Sequence, residues 1–364
     1  MTFLNIYKNK KVLVTGHTGF KGSWLSLWLT KLDADVYGIS KDIPTKPSNY
    51  KVSNLFKYMS DYREDITNYD SIEKIISEIK PDFVFHLAAQ SLVRSAYDEP
   101  INTIKTNALG TVNIMEALRK LNKNVSLIMI TSDKVYDNLE WVWGYRENDN
   151  LGGKDPYSAS KGMAELAIKS YINSYFSNNN SNIKIGIARA GNVIGGGDWA
   201  ANRIIADCVK SWSENKKVEI RNPKSTRPWQ HVLEPLSGYL TLGHNLFNGV
   251  FNGEAFNFGP TADQNFTVAE LINEMKRYWP GADWKDTSSK DNFDEAGLLK
   301  LNCDKSLQKL KWSPVLSFEE NVKFTSHWYK YFYENKNENI YEFSLNQIDE
   351  YSFIAKKKES VWTK

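Results

Sequence analysis

Tyr157 and Lys161 stand four residues apart in the run Asp155-Pro156-Tyr157-Ser158-Ala159-Ser160-Lys161. On a helix that spacing puts both side chains on one face. A free tyrosine has a pKa of about 10 and is a poor base at neutral pH. A lysine ammonium and a second positive charge beside it favour the phenolate; moving the phenol to about 7 takes roughly 4 kcal/mol of differential stabilisation. A phenolate so placed takes the proton from a hydroxyl while hydride leaves the same carbon. Alone, such a pair also fits a solvated helix face.

A second group of reactive side chains lies upstream. Thr131-Ser132-Asp133-Lys134 follows the apolar run Val125–Ile130, so it falls at the carboxyl end of a strand, where doubly wound folds place their sites. Adjacent ionisable residues such as Asp133 and Lys134 are costly to bury without a task. Elimination of water needs such a couple: a base takes a proton from carbon and an acid protonates the departing hydroxyl. The competing reading is a strand-ending turn with a surface ion pair.

These groups need a hydride acceptor, and the N-terminus supplies a place for one. The strand Lys11–Thr15 runs into Gly16-His17-Thr18-Gly19-Phe20-Lys21-Gly22 and then the apolar helix Trp24–Leu32. Glycines allow the tight turn and let the backbone approach a pyrophosphate, while the helix N-terminus offers free N–H groups. Following the first strand of a βαβ unit, this spacing is fairly specific for a dinucleotide. The acid that usually closes the second strand and binds the adenosine ribose is missing from Gly38-Ile39-Ser40-Lys41, so this segment does not choose between NAD and NADP. Asp65-Ile66 stands where a third strand ends, placed either to meet the adenine edge or to start the next helix. Ala88, Ala89 and Gln90 follow another strand and pass close to the cofactor.

The elements that must position these residues alternate. Val36–Ile39, Phe83–Leu87, Val125–Ile130 and Ile183–Ala188 read as buried parallel strands, and Ile72, Ile75, Ile76 and Ile79 recur at helical spacing. So do Ile101, Ile104, Ala108, Val112, Met115 and Leu118. The pattern predicts an α/β fold, a Rossmann-type doubly wound parallel sheet. After Gly191 the alternation fades, and capping boxes at Thr267/Glu270 and Ser317/Glu320 open later helices. The expected division is a dinucleotide-binding domain over 1–190, with 232–262 returning to it, and a smaller interleaved substrate-binding domain from 191–231 and 263–364.

Composition narrows the rest. With 46 basic and 43 acidic residues the formal net charge is +3, which leaves no electrostatic footprint for nucleic acid. No apolar run is long enough to span a bilayer, and the start lacks the apolar core of a secretory signal. Two distant cysteines, Cys208 and Cys303, fit a reducing cytoplasm, and the five histidines show no metal-ligand spacing, so no metal is expected.

The longer motifs carry a resemblance. GHTGFKG, HLAAQSLVRSAY, TSDKVYDN, DPYSASK, RAGNVIGGGDW and RPWQHVLEP together resemble the CDP-glucose 4,6-dehydratase family, from Lys11 to near Tyr351. Related dehydratases usually carry glutamate after the aspartate; this family carries lysine, as at Lys134. The resemblance implies NAD as the cofactor and CDP-glucose as the substrate. It implies that Tyr157, helped by Lys161 and a hydrogen bond from Thr131, oxidises C4. Lys134 then takes the C5 proton, Asp133 protonates the C6 hydroxyl, and hydride returns to C6. A closed hydride cycle asks for tightly held NAD. Asn192, Arg203, Arg227, His231 and Asn257 match substrate positions, the two arginines as a diphosphate clamp; for each the alternative is an ordinary structural role, such as an interdomain ion pair. The family is generally oligomeric, and the helices Ile101–Leu118 and Ala164–Tyr175 are placed to pair across a two-fold axis as a dimer or tetramer. The alternatives are a 4-epimerase or dehydratase for another nucleotide sugar, which the Asp133/Lys134 couple separates from each other, and a non-catalytic NAD-binding protein. No single residue reads the nucleobase by an evident rule, and the final sugar is not legible.

Overall fold

The computed structural model describes residues 2–177, 181–288, 298–335 and 338–364. Seven parallel strands form one sheet: β1 (Lys11–Thr15), β2 (Asp35–Ile39), β3 (Ser60–Tyr62), β4 (Phe83–His86), β5 (Val125–Ile130), β6 (Ile183–Ala190) and β7 (Ala255–Phe258). Their spatial order is β7-β6-β5-β4-β1-β2-β3, with the reversal between β1 and β4. That reversal is where an open α/β sheet leaves a crevice outside its strand ends.

The longer helices are α1 (Phe20–Lys31), α2 (Tyr69–Ile79), α3 (Gly110–Arg119), α4 (Pro156–Tyr171), α5 (Ile204–Ser213), α6 (Leu233–Phe247), α7 (Val268–Lys276), α8 (Phe318–Glu334) and α9 (Ile340–Lys357). Successive strand residues point to opposite faces, so each strand feeds two cores. Leu13, Val84, Leu127 and Met129 pack with Ile72, Ile76, Ile114, Leu118 and Ile168 of α2, α3 and α4. Val12, Val14, Phe83, Phe85 and Ile128 pack with Trp24, Trp28, Leu236 and Leu240 of α1 and α6. That second core continues through Trp328 and Tyr351, so the C-terminal helices share the apolar interior of the sheet face rather than closing a separate one.

The segment after β6 interleaves. It leaves the sheet for α5, comes back as α6 behind the sheet, and adds β7 beside β6, with Asn257 opposite Arg189. The two capping boxes form as the sequence indicates: Thr267 accepts from the Glu270 N–H, and Ser317 from the Glu320 N–H. The expected helix over 101–118 runs from Pro100 to Arg119 but widens into a π turn over Lys105–Leu109. That turn sets Asn107 inward, with consequences for the site. Among the described residues no helix is long and apolar enough to cross a membrane, and no cluster of histidine, cysteine and acidic side chains could hold a metal.

Candidate active site

The glycine turn links β1 to α1 with almost no room to spare. Gly16 has φ +76°, and a Cβ there would stand 2.8 Å from the Ala88 backbone nitrogen. A Cβ on Gly22 would come within 2.1 Å of the Gly16 carbonyl oxygen, so the first turn of α1 lies directly on the loop. Gly19 caps α1 without a side-chain hydrogen bond, which leaves that helix end to a ligand. Such a cradle fits the diphosphate of a dinucleotide. Thr18 is buried, and its hydroxyl donates to the Asp42 carbonyl at 2.7 Å, so it braces the loop after β2. Phe20 reaches Gly195, and Lys21 is held down to about 8, by burial first and then by Arg203 and Lys161 against the opposing pull of Asp133.

No acid ends β2, but one comes from the neighbouring strand. Asp61 of β3 lies beside Gly38 and accepts from Tyr50 and Arg63, and its Oδ1 is 2.9 Å from His17 Nε2. Burial opposes its ionisation, yet these partners win and hold the carboxyl well below the usual range. Asp65 accepts from the Thr67 N–H and hydroxyl and pairs with Lys41 at 3.0 Å. Ile66 is buried against Gly110, and its carbonyl accepts from Asn113. The Asp65 carboxylate thus braces the turn into the next helix. Beyond β4, Ala88 N–H donates to Thr15, while Gln90 exchanges hydrogen bonds with Asn107, whose amide also donates to Ser160 of α4 at 2.8 Å. Asn107, unremarkable in sequence, ties the cofactor loop to the catalytic helix.

Asp155 caps α4, accepting from the N–H groups of Tyr157 and Ser158. The cap sets Tyr157 and Lys161 on the sheet side, both buried. Burial pushes the Tyr157 phenol up to about 12; a hydrogen bond with Ser132 opposes that, Asp133 adds to it and Arg203 opposes it. Burial likewise pulls the Lys161 ammonium down to about 8, with Glu165 acting against the fall. Ser132 also donates to Asp133 Oδ1 at 2.9 Å and accepts from the Lys134 N–H. Ser132 thus touches both the phenol and the carboxylate.

Three expected roles need correction. Thr131 does not serve Tyr157: its hydroxyl donates to Glu165 at 2.7 Å, because the chain alternates sides at the end of β5 and turns Ser132 toward the cleft. Asn257 is fully buried on β7. It receives the Tyr136 hydroxyl, donates through its amide to Tyr145 O and Asn302 O, and gives its N–H to Glu147, so no polar atom is left for a substrate. His231 is fully buried between Trp24 and Phe324 and pushed down to about 3 by that burial, so it is a neutral core ring rather than a pocket wall.

Asp133 opens into a cavity of about 200 Å³ lined also by Gly191, Pro228, Gln230, Thr261 and Asn302. A Cβ on Gly191 would meet Asp133 Oδ2 at 3.2 Å, which makes the glycine part of the opening. Asn192 follows, half-buried. Arg203 enters α5 with a buried Nε that has no hydrogen-bond partner, and it acts on Tyr157, Lys21 and Asp198. Arg227 sits on a short strand against Phe266, next to Pro228 of the cavity wall. Lys134 is half-buried on the same turn as Asp133, and among the described residues its ammonium has no hydrogen bond or ion pair. The arrangement sets a phenol, a hydroxyl and a carboxyl side by side, with an ammonium on the same turn as the carboxyl, beside a dinucleotide cradle.

Known proteins resemble this chain in sequence and in fold. The family described as GDP-mannose 4,6 dehydratase matches residues 13–325. A CDP-glucose 4,6-dehydratase of Salmonella typhimurium is 45% identical over 331 residues, 90% of this chain and 92% of that one. The Thermotoga maritima UDP-glucose 4-epimerase solved with UDP-glucose superposes with TM-score 0.77 at 24% identity, covering 89% of this chain and 100% of that one. The Bacillus anthracis dTDP-glucose 4,6-dehydratase solved with NAD gives TM-score 0.73 at 22% identity, covering 92% and 99%.

Proposed function

The chain belongs to the family of nucleotide-sugar 4,6-dehydratases, and on that premise we propose that it converts CDP-glucose to CDP-4-keto-6-deoxyglucose and water, with NAD held as a resident cofactor. Bound in the glycine cradle, NAD supplies a hydride acceptor that later returns what it took. Tyr157 takes the proton of the C4 hydroxyl, steadied by Ser132 and by the positive charge of Lys161. The C4 ketone acidifies the neighbouring C5 hydrogen, and Lys134 takes that proton. Asp133 protonates the C6 hydroxyl as it leaves. Arg203 and Arg227 hold the diphosphate, with Asn192 beside them.

One observation carries the reading. Ser132 donates to Asp133 and lies beside the Tyr157 phenol, so the oxidation base and the elimination acid flank one hydroxyl. A 4-epimerase needs the first and has no use for the second. The test is incubation of the protein and NAD with CDP-, dTDP-, GDP- and UDP-glucose. A 4-keto-6-deoxy product, absorbing in strong alkali and lighter by one water, is expected from CDP-glucose. Turnover of another nucleotide alone would reassign the base, and epimerised sugar would remove the dehydration.

The proposal extends to assembly and place. Ile101, Ile104, Leu109, Met163 and Leu166 are exposed on the 100–119 and α4 helices, a self-complementary apolar face suited to a homodimer. Both cysteines are free, in keeping with a cytoplasmic enzyme of deoxysugar biosynthesis.

A further inference from the structure

Behind the catalytic residues lies a buried charge pair that the chemistry above does not use. Glu165 and Arg189 have no solvent exposure. Arg189 donates from Nε to Glu165 Oε1 at 2.7 Å and from Nη2 to the second oxygen, a bidentate fork. Its remaining nitrogen donates to the Tyr136 hydroxyl at 2.7 Å and the Glu147 carbonyl at 3.0 Å. Glu165 Oε1 also receives the Thr131 hydroxyl at 2.7 Å. Glu165 lies four residues after Lys161, so its carboxylate shares the helix face that carries the catalytic lysine.

The cluster therefore joins three elements at one point: the end of β5, the middle of α4 and β6. A buried pair of this kind adds little stability over apolar side chains of the same volume, and losing one partner is severe. Fixing a register is its best-attested use. We infer that Glu165 is a positioning residue which, through the Thr131 hydroxyl, fixes the peptide that aims Ser132 and Asp133 at Tyr157, while its charge faces Lys161. This rests on the dehydratase reading above. Thr131 N–H is already bound to the Ala188 carbonyl at 2.9 Å, so backbone pairing holds one side of the residue and Glu165 the other. Alternation along the extended chain then turns the next side chain, Ser132, to the other side, where it meets Asp133. The charged groups facing Lys161 are Glu165 on its own helix and Lys21 from α1, with His86 facing it from β4. Glu165 is the one negative charge among them.

The test uses the full chain with NAD and CDP-6-deoxyglucose. That sugar has a C4 hydroxyl to oxidise and no C6 hydroxyl to lose, so the reaction stops with the cofactor reduced, and near-ultraviolet absorbance reports the first step alone. Thr131→Val should slow that step at least about tenfold per bound cofactor, the loss expected from an oriented hydrogen bond, with NAD and CDP affinities unchanged. Thr131→Ser, which keeps the hydroxyl, should recover most of the rate. Glu165→Gln should move the alkaline fall of the rate to lower pH, since Lys161 loses the charge that resists its deprotonation. A merely structural role would lower the melting temperature and leave the rate per bound site and the alkaline limb in place. Thr131→Val at the wild-type rate, or an unmoved limb in Glu165→Gln, overturns the inference. A wild-type protein that binds CDP-6-deoxyglucose and NAD without any absorbance change would instead sink the dehydratase reading.

Discussion

Ser132→Ala is the perturbation that bears most sharply on the catalytic geometry. The Ser132 hydroxyl meets the Tyr157 phenol and donates to Asp133 at 2.9 Å. The hydroxyl has one proton, held by Asp133 while the phenol is neutral and turned to Tyr157 when it ionises; that contact opposes the rise to about 12 that burial drives, so its removal moves Tyr157 further from ionisation. A hydrogen bond to a charged group contributes roughly 1.5–3 kcal/mol, which corresponds to about 10- to 150-fold in the rate of C4 oxidation. The sign in pH follows. The phenolate is the active form, a higher phenol pKa means less of it at any given pH, and the acid limb of kcat/KM moves to higher pH. Because the side chain is small and half-buried, the melting temperature should fall little beyond the loss of a cap on the Asp133 turn, about 0.5–2 kcal/mol. The assay is steady-state keto-sugar formation with CDP-glucose deuterated at C4. Oxidation becomes slower than the later steps, so the isotope effect on kcat should grow while KM stays near its starting value. A kcat within about twofold of wild type, with an unchanged isotope effect, would mean that the hydroxyl beside Tyr157 does not assist it.

Other consequences are as direct. Gly22→Ala puts a Cβ 2.1 Å from the Gly16 carbonyl, and the forced shift of α1, about 1–3 kcal/mol of overpacking, should weaken NAD at least about tenfold in a fluorescence titration; unchanged affinity would mean that the cradle lies elsewhere. Lys134→Ala should oxidise C4 and then stall, so reduced cofactor accumulates with CDP-glucose; absence of that absorbance would give Lys134 a different task. His86 and His231 are buried and pushed down to about 3 from 6.5. A base depressed in the folded state costs stability as pH falls below its unfolded value, since the unfolded chain takes up the proton first. Thermal melts should show about 2 kcal/mol lost per histidine between pH 7 and pH 5, and a flat melting temperature over that range would contradict their burial.

Much of this architecture is written in the residue pattern. β1, β4, β5 and β6 are apolar runs buried on both faces, and such runs announce themselves. β3 is three residues, Ser60-Asp61-Tyr62, largely exposed at the sheet edge, with no apolar run to find. Its Asp61 sets a carboxylate beside Gly38 of β2, a neighbour across strands that periodicity along one strand cannot reveal. Thr131 and Ser132 are both hydroxyl residues at the end of an apolar strand, and sequence order does not say which of them faces the cleft. Alternation at the end of β5 decides it, and the buried partner of Thr131 lies 34 residues away on α4. Asn257 and His231 match substrate positions of the family that the motifs resemble. In the fold each is absorbed by partners remote in sequence: Tyr136, Tyr145, Asn302 and Glu147 for one, Trp24 and Phe324 for the other. Asn107 carries no signal in the sequence because its role depends on a π turn that no helical periodicity marks.

The central claim is that one hexose meets the phenol of Tyr157, the carboxyl of Asp133 and a single resident nicotinamide in turn. Its most direct test is CDP-glucose carrying deuterium at C4, converted in ordinary water and read by NMR of the product. Deuterium recovered at C6 of the 4-keto-6-deoxy sugar, with a solvent hydrogen at C5, is the predicted result. Deuterium lost to solvent or to free cofactor, or returned to C4 of an epimerised sugar, would contradict it.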